Sequence, residues 1–332
     1  MLLAASSHPS PAAAYDPGRV TLIEENDAFA SRDDRHYTQG LRLSYLSGAV
    51  SPGGFWDSPF DWLAGPLPVF AGNADSRKRK IEWIILGQSL FTPARLEPAN
   101  PDPRDRPYAG WLYTGASLLQ DQGGHSLERL ELLLGVVGPS ALGKQTQNDF
   151  HQIIEVGQSH GWGHQLQDEP GLVLSYERDW RFELPLAFGV AVDAVPELGA
   201  SLGNVLTYGE AGGILRIGQN LGADYGPTHI RPSQSGGGWF DADRMDSPIG
   251  WYAFVGAQGR AVGRNIFLDG NSWQQSRSVD KKPLVGDLVW GAALFWSDRL
   301  RVDFTVTDRS KEFYGQKFPD RFGMITLSIA FW

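Results

Sequence analysis

Short stretches that alternate between apolar and polar side chains recur along almost the whole of this 332-residue chain. In Gly40-Leu41-Arg42-Leu43-Ser44-Tyr45 the apolar residues fall on every second position, so one face can meet lipid while the other faces a wet or packed lumen. Similar segments run over roughly 19–25, 37–47, 80–90, 109–119, 128–137, 170–181, 184–195, 203–217, 250–260, 286–297, 299–308 and 321–331. A membrane-spanning helix needs about 18 or more consecutive apolar residues. No segment approaches that; even the run Leu184 to Val195 is short and carries Asp193. A membrane-spanning strand needs only about 9–11 residues, and an even strand number suits antiparallel closure. The pattern predicts an all-β, transmembrane antiparallel β-barrel of about 12 strands.

Composition agrees. The chain holds 40 Gly, 12 Trp, 10 Tyr and 17 Phe, a turn-rich and aromatic-rich balance typical of β proteins. It contains no cysteine, which excludes disulfide frameworks, thiolate metal sites and cysteine nucleophiles. Its 29 Lys and Arg against 38 Asp and Glu leave a net charge of −9, which argues against nucleic acid as a partner.

Connections alternate in length. Arg181-Phe182-Glu183 and Ser297-Asp298 fit tight hairpin turns. The links over 48–79, 91–106, 218–249 and 262–285 are long and rich in Gly, Pro and Asp, as expected of loops outside the membrane opposite short periplasmic turns. The last strand, Met324 to Trp332, alternates and ends on an aromatic residue, resembling the terminal strand that the barrel assembly machinery reads; its apolar set lies one register off Trp332. Residues 1–18 read as a leader remnant or disordered N-terminus, and 19–332 as one outer-membrane barrel. One stretch, Lys144 to Glu155, breaks the β pattern: Phe150, Ile153 and Ile154 share a helical face, and Gln147, His151 and Glu155 form a polar stripe on another. This predicts a lone helix inside a loop.

Glu25-Asn26-Asp27 and the following Asp33 to Gly40 offer carboxylate, amide and hydroxyl oxygens, which suit Ca²⁺ or Mg²⁺ better than zinc; capping and turn formation are the alternative use of such residues. These blocks, with Gly87-Gln88-Ser89-Leu90-Phe91-Thr92-Pro93, Asp105-Arg106-Pro107-Tyr108-Ala109-Gly110-Trp111, Gln147 with His151, Gly161-Trp162 with Gln165, Glu169-Pro170 and Arg264 to Asn271, resemble the outer-membrane lipid A deacylase (LpxR-like) family. They come in the family's order over nearly the whole chain.

The resemblance implies a twelve-stranded barrel whose active site lies in the wall near its outer end, facing the outer leaflet of a Gram-negative outer membrane and covered by a helix from an extracellular loop. It further implies hydrolysis of the 3′-linked acyloxyacyl ester of lipid A, remodelling lipopolysaccharide with Ca²⁺ as cofactor. Asn26, Asp27, Thr38, Gln147 and His151 match the family's active-site positions, and Gln88, a further candidate for substrate binding, stands where a characterised member carries a lysine. The family's glutamate matches Glu169 or Glu155; Glu169, in its Glu-Pro block, is preferred. Asp27 and Glu169 are thus the expected metal ligands.

The chemistry is coherent without the resemblance. No Gly-x-Ser-x-Gly elbow is present, so an acyl-serine route is unsupported. A neutral His151 can take a proton from water, Gln147 can orient water or substrate, and a divalent ion can hold a developing oxyanion. The basic run Arg77-Lys78-Arg79-Lys80 and the scattered Arg264, Arg277, Lys281 and Lys282 are candidates for contact with lipid A phosphates, or else solvated faces. His36 reads as a structural or substrate contact rather than a catalytic group, and the tryptophans as interfacial girdle or lumen packing. Two other classes remain open: a non-enzymatic porin or structural barrel, and a soluble secreted glycan-binding β protein.

Overall fold

The computed structural model describes residues 16–31, 36–153, 157–227 and 238–331. Twelve strands form the wall: β1 (Gly18–Asn26), β2 (His36–Leu46), β3 (Arg77–Thr92), β4 (Ala109–Gln122), β5 (Ser126–Val137), β6 (Glu169–Trp180), β8 (Ala191–Gly203), β9 (Leu206–Gln219), β10 (Ile249–Asn265), β11 (Leu284–Trp296), β12 (Leu300–Arg309) and β13 (Asp320–Phe331). A short strand, β7 (Phe182–Pro185), pairs with β8 alone. Every wall strand is antiparallel to its neighbours, and pairing of β6 with β8 and of β1 with β13 closes the ring. Both described chain ends lie at one rim, called here the terminal end; the opposite rim is the far end. Among the described residues no helix is long and apolar enough to cross a membrane.

Alternation sorts the side chains. On β13, Ile325, Leu327, Ile329 and Phe331 point outward and are exposed, while Thr326 and Ser328 point inward and are buried. Ser328 Oγ accepts from Thr21 Oγ1 at 2.9 Å and from Arg19 Nε at 3.2 Å across the β1–β13 seam. Trp332 and its register lie outside the described residues.

The lumen is filled. Toward the far end it holds an aromatic cluster that includes Tyr37, Phe91, Trp111, Tyr113, Phe267 and Phe322. Its middle carries charges, which burial makes costly unless they are paired. Arg42 meets Glu82 and Glu131 at 3.1 and 3.2 Å, Arg309 meets Asp287 at 2.9 Å, Arg301 meets Asp303 and Asp224, and Arg216 bridges Asp193 and Asp224. At the terminal end, Leu221, Tyr225, Trp239 and Phe240 from the β9–β10 link fold inward against Val289 and Phe295 and close the opening.

Three expectations need correction. The chain does not turn at 181–183. The strand breaks at Arg181, whose guanidinium reaches inward to the carbonyls of Leu221, Gly222 and Asp224, then continues as β7. The hairpin turn comes at Phe188-Gly189, both with positive φ (60° and 72°), within what reads in the sequence as one strand, 184–195. The long links are not all on one side: those following β2 and β9 are at the terminal end, and those following β3, β5 and β10 at the far end. Nor is the helix within the β5–β6 link, α2 (Gly143–Ile153), alone, since α1 (Ser58–Ala64) lies in the β2–β3 link and α3 (Ile266–Asp269) follows β10.

Candidate functional site

A barrel wall in lipid should present apolar groups outward. On β1 to β3 it does so only part of the way. Toward the far end the outward face runs from Leu22 to Glu24 and Asn26 on β1, and from Leu43 through Leu41 to Gln39 on β2. On β3 it runs from Leu86 to Gln88, Leu90 and Thr92. An extra residue in β2, between Tyr37 and Gln39, forms a bulge at Thr38. Thr38 Oγ1 lies 2.7 Å from Thr92 Oγ1 on the next strand, and Gln39 Nε2 donates to Glu24 Oε1 at 2.8 Å. The result is a polar strip, largely buried, on a face that is otherwise lipid-facing.

Over its β3 side lies the β5–β6 link. Its helix α2 packs on β3 and β4. Gly110 on β4 and Gly143 at the helix start permit this close approach: a Cβ on Gly110 would stand 3.1 Å from Ala141 Cβ, and one on Gly143 would press Trp162 and Leu90. Gln88 Nε2 donates to the Ala141 carbonyl at 2.6 Å, tying wall to roof. Four residues beyond Gly143, Gln147 is only 1% exposed. Its Oε1 accepts from Trp162 Nε1 at 2.8 Å, and since an indole can only donate, this bond fixes the amide orientation. Gln147 Nε2 has no hydrogen-bond partner among the described residues, so this buried donor is available to a ligand or water. Trp162 is held in turn by packing its ring, tilted at 51°, against Tyr108, ring centres 4.9 Å apart.

Asn26 ends β1 and caps a single 3₁₀ turn over Asp27–Phe29, its Oδ1 accepting from Ala28 N at 2.8 Å. Asp27 opens that turn and is buried. His151 lies on α2, one turn after Gln147; its side chain and Glu155 fall outside the described residues.

Two groups of expected site residues lie elsewhere. Glu169, at the far-end start of β6, faces inward, four strands from β2. Its Oε1 accepts from Asn204 Nδ2 (3.0 Å), and its Oε2 from Asn271 Nδ2 (3.1 Å) and Ser272 N (2.8 Å). It joins three far-end links and is not brought together with Asp27. Arg77 to Lys80 begin β3 at the terminal end, opposite Thr92, and protein groups meet their charges: Arg79 pairs with Asp57 and Asp61, Lys78 with Asp241 and Asp243, and Lys80 with Asp16. Local charge density suggested a phosphate site; strand direction puts the run at the wrong rim. Arg264, Arg277 and Lys281 are at the far end, bound to Gly270, Pro101 and Asp269. His36 is buried, with Nδ1 2.7 Å from Asp320 and Nε2 3.6 Å from Asp105.

Sequence reasoning did not single out Glu24, Gln39, Thr92 or Trp162 as site-lining. Counting by twos from Gln88 reaches Thr92. The role of Trp162 depends on a fold-back that no local pattern carries.

A family model described as outer membrane protein LpxR matches residues 1–331. The chain belongs to the LpxR family. Among solved structures, LpxR from Salmonella typhimurium aligns with a TM-score of 0.73 at 19% identity, covering 94% of this chain and all of that one. The β domain of the Bordetella autotransporter BrkA aligns with a TM-score of 0.46 at 11% identity. No curated protein sequence matches the chain. As an LpxR-family protein this is an outer-membrane β-barrel, which rules out the soluble secreted reading. Among the described residues, the one acidic group able to converge on a cation is Glu177, Asp179 and Glu197, with one oxygen of each within 4.8 Å of the others. It sits inside the barrel on β6 and β8, away from Asn26 and Asp27.

Proposed function

We propose that this LpxR-family barrel is a lipid A deacylase that hydrolyses the 3′-linked acyloxyacyl ester of lipid A at the outer leaflet. The observation that carries the reading is the polar strip on the lipid-facing wall of β1 to β3, flanked by α2 where that helix packs on β3 and β4. A lipid ester can reach it from within the membrane, whereas lumen residues are sealed off. The filled lumen also weighs against a porin.

In this reading His151 takes the proton of the attacking water. The Nε2 amide of Gln147, held by Trp162, donates to the substrate ester or to that water. Asn26 and Thr38 position the ester from the wall side, and Gln88 keeps the roof seated. At the end of β1, Asp27 brings a carboxylate and Asn26 an amide oxygen that already accepts from Ala28 N; such hard oxygens fit Ca²⁺ in kind, and Glu169 does not join them. A bound Ca²⁺ there would supply Lewis-acid stabilisation of the oxyanion. The test is mass spectrometry of lipid A after incubation with detergent-purified protein, with and without a chelator. Loss of the 3′ acyloxyacyl group only without chelator is expected; unchanged lipid A in both would overturn the reading.

A further inference from the structure

The β2–β3 link does not hang below the barrel. It doubles back and lies against the outside of the wall across β3 to β6 at the terminal end. Phe60 of α1, Val69 and Phe70 pack on Ile81, Leu118, Leu130 and Tyr176, all outward-facing. Polar bonds hold the strap down: Arg79 to Asp57 and Asp61 at 2.8 Å each, Phe70 N to Glu128 Oε2 at 2.6 Å, and Gln120 Nε2 to Ala71 O at 3.3 Å. Asp57 and the backbone of Phe70 and Ala71 turn to the wall, while three of the strap's large aromatic side chains face the surroundings. Phe55 is 80% exposed, Trp62 74% and Trp56 50%.

Elsewhere around the terminal rim the wall carries its own exposed aromatics: Phe331 on β13, Trp296 on β11, Trp251 on β10 and Phe182 on β7. Such girdles mark the membrane–water interface. On β3 to β6 the outward residues at this height are Arg79, Gln120, Glu128 and Arg178, which could not form a girdle. The strap covers that arc and supplies the missing aromatics. It is also continuous with the lipid-facing wall: Trp56 meets Trp83 edge to face, ring centres 5.5 Å apart. Beside them lies a half-open groove of about 380 Å³, lined by Val50, Phe55, Trp56, Ile81 and Trp83 together with Ser47 and Ser51.

We infer that the strap is an interfacial anchor that binds glycerophospholipid of the leaflet at the terminal end. Phe55, Trp56 and Trp62 lie at headgroup depth, and part of one acyl chain occupies the groove beside Trp83. This leaflet is opposite the polar strip, so the inference stands whether or not the chain is a deacylase.

Because the chain has no cysteine, a single introduced thiol reports one position. Trp62→Cys and Phe55→Cys, each labelled with bimane, are placed as full-length barrels in phosphatidylcholine vesicles with plain or brominated acyl chains. His125→Cys, exposed in the β4–β5 turn of the same rim, serves as the aqueous control. Labels at 62 and 55 should lose several-fold more emission to brominated chains than the label at 125, and several-fold less to iodide. Iodide quenching equal to that at 125 would overturn the inference. Protection from both quenchers would overturn it too, pointing to a protein covering the strap.

Discussion

A carboxylate that accepts three hydrogen bonds from amide donors has little capacity left for a cation, and Glu169 is in that position. The Asn204, Asn271 and Ser272 donors stabilise its charged form and fasten three links together. Glu169→Gln should therefore keep the deacylation rate while lowering stability by about 1–3 kcal/mol, because the new NH₂ faces donors; lipid A mass spectrometry and thermal unfolding read the two effects separately. His151→Ala should do the reverse: the barrel stays folded, and turnover falls by roughly 10²–10⁴, the usual contribution of a general base. Gln147→Ala should cost less, since water can replace an orienting donor. The order Asn26-Asp27, Thr38, Gln147, His151 was legible in the motifs. Which face each side chain takes was not, because the Thr38 bulge resets the alternation of β2 at the site.

The β3–β4 link shows how one element is held. Burial pushes the Asp105 carboxyl up, but His36 and the Ala94 and Arg106 N–H groups outweigh it, so Asp105 sits below its usual value. A depressed carboxyl stabilises the fold above its unfolded pKa, and that contribution fades as pH falls through the lower folded value. Peptic cleavage within 93–108 should therefore stay slow down to about pH 4 and quicken below it; Asp105→Asn should remove that acid-dependent step. Period-two alternation found most strands because each has one lipid face. It failed between 182 and 203, where Phe188-Gly189 turns the chain inside an apolar run. It also overlooked α1, whose short amphipathic pattern resembles loop sequence. Strand direction, on which the position of Arg77 to Lys80 depends, emerges only when the whole ring is counted.

At the scale of the molecule, the lumen is occupied by aromatic side chains, paired charges and the inward-folded Leu221, Ala223, Tyr225, Trp239 and Phe240. Reconstituted into a planar bilayer, the protein should show no stepwise conductance; steady porin-like openings would contradict the packing. The seam carries a different consequence. Gly18 pairs with Phe331 and Asn26 with Gly323, so the first strand waits for the last before either has its full set of partners. Loop-closure entropy makes such distant pairing slow. Until it forms, the sheet has two bare edges able to capture strands from other chains. A chain stopped before residue 320 should therefore be lost to aggregation or proteolysis rather than persist as an eleven-stranded barrel, so biogenesis is decided by the final dozen residues.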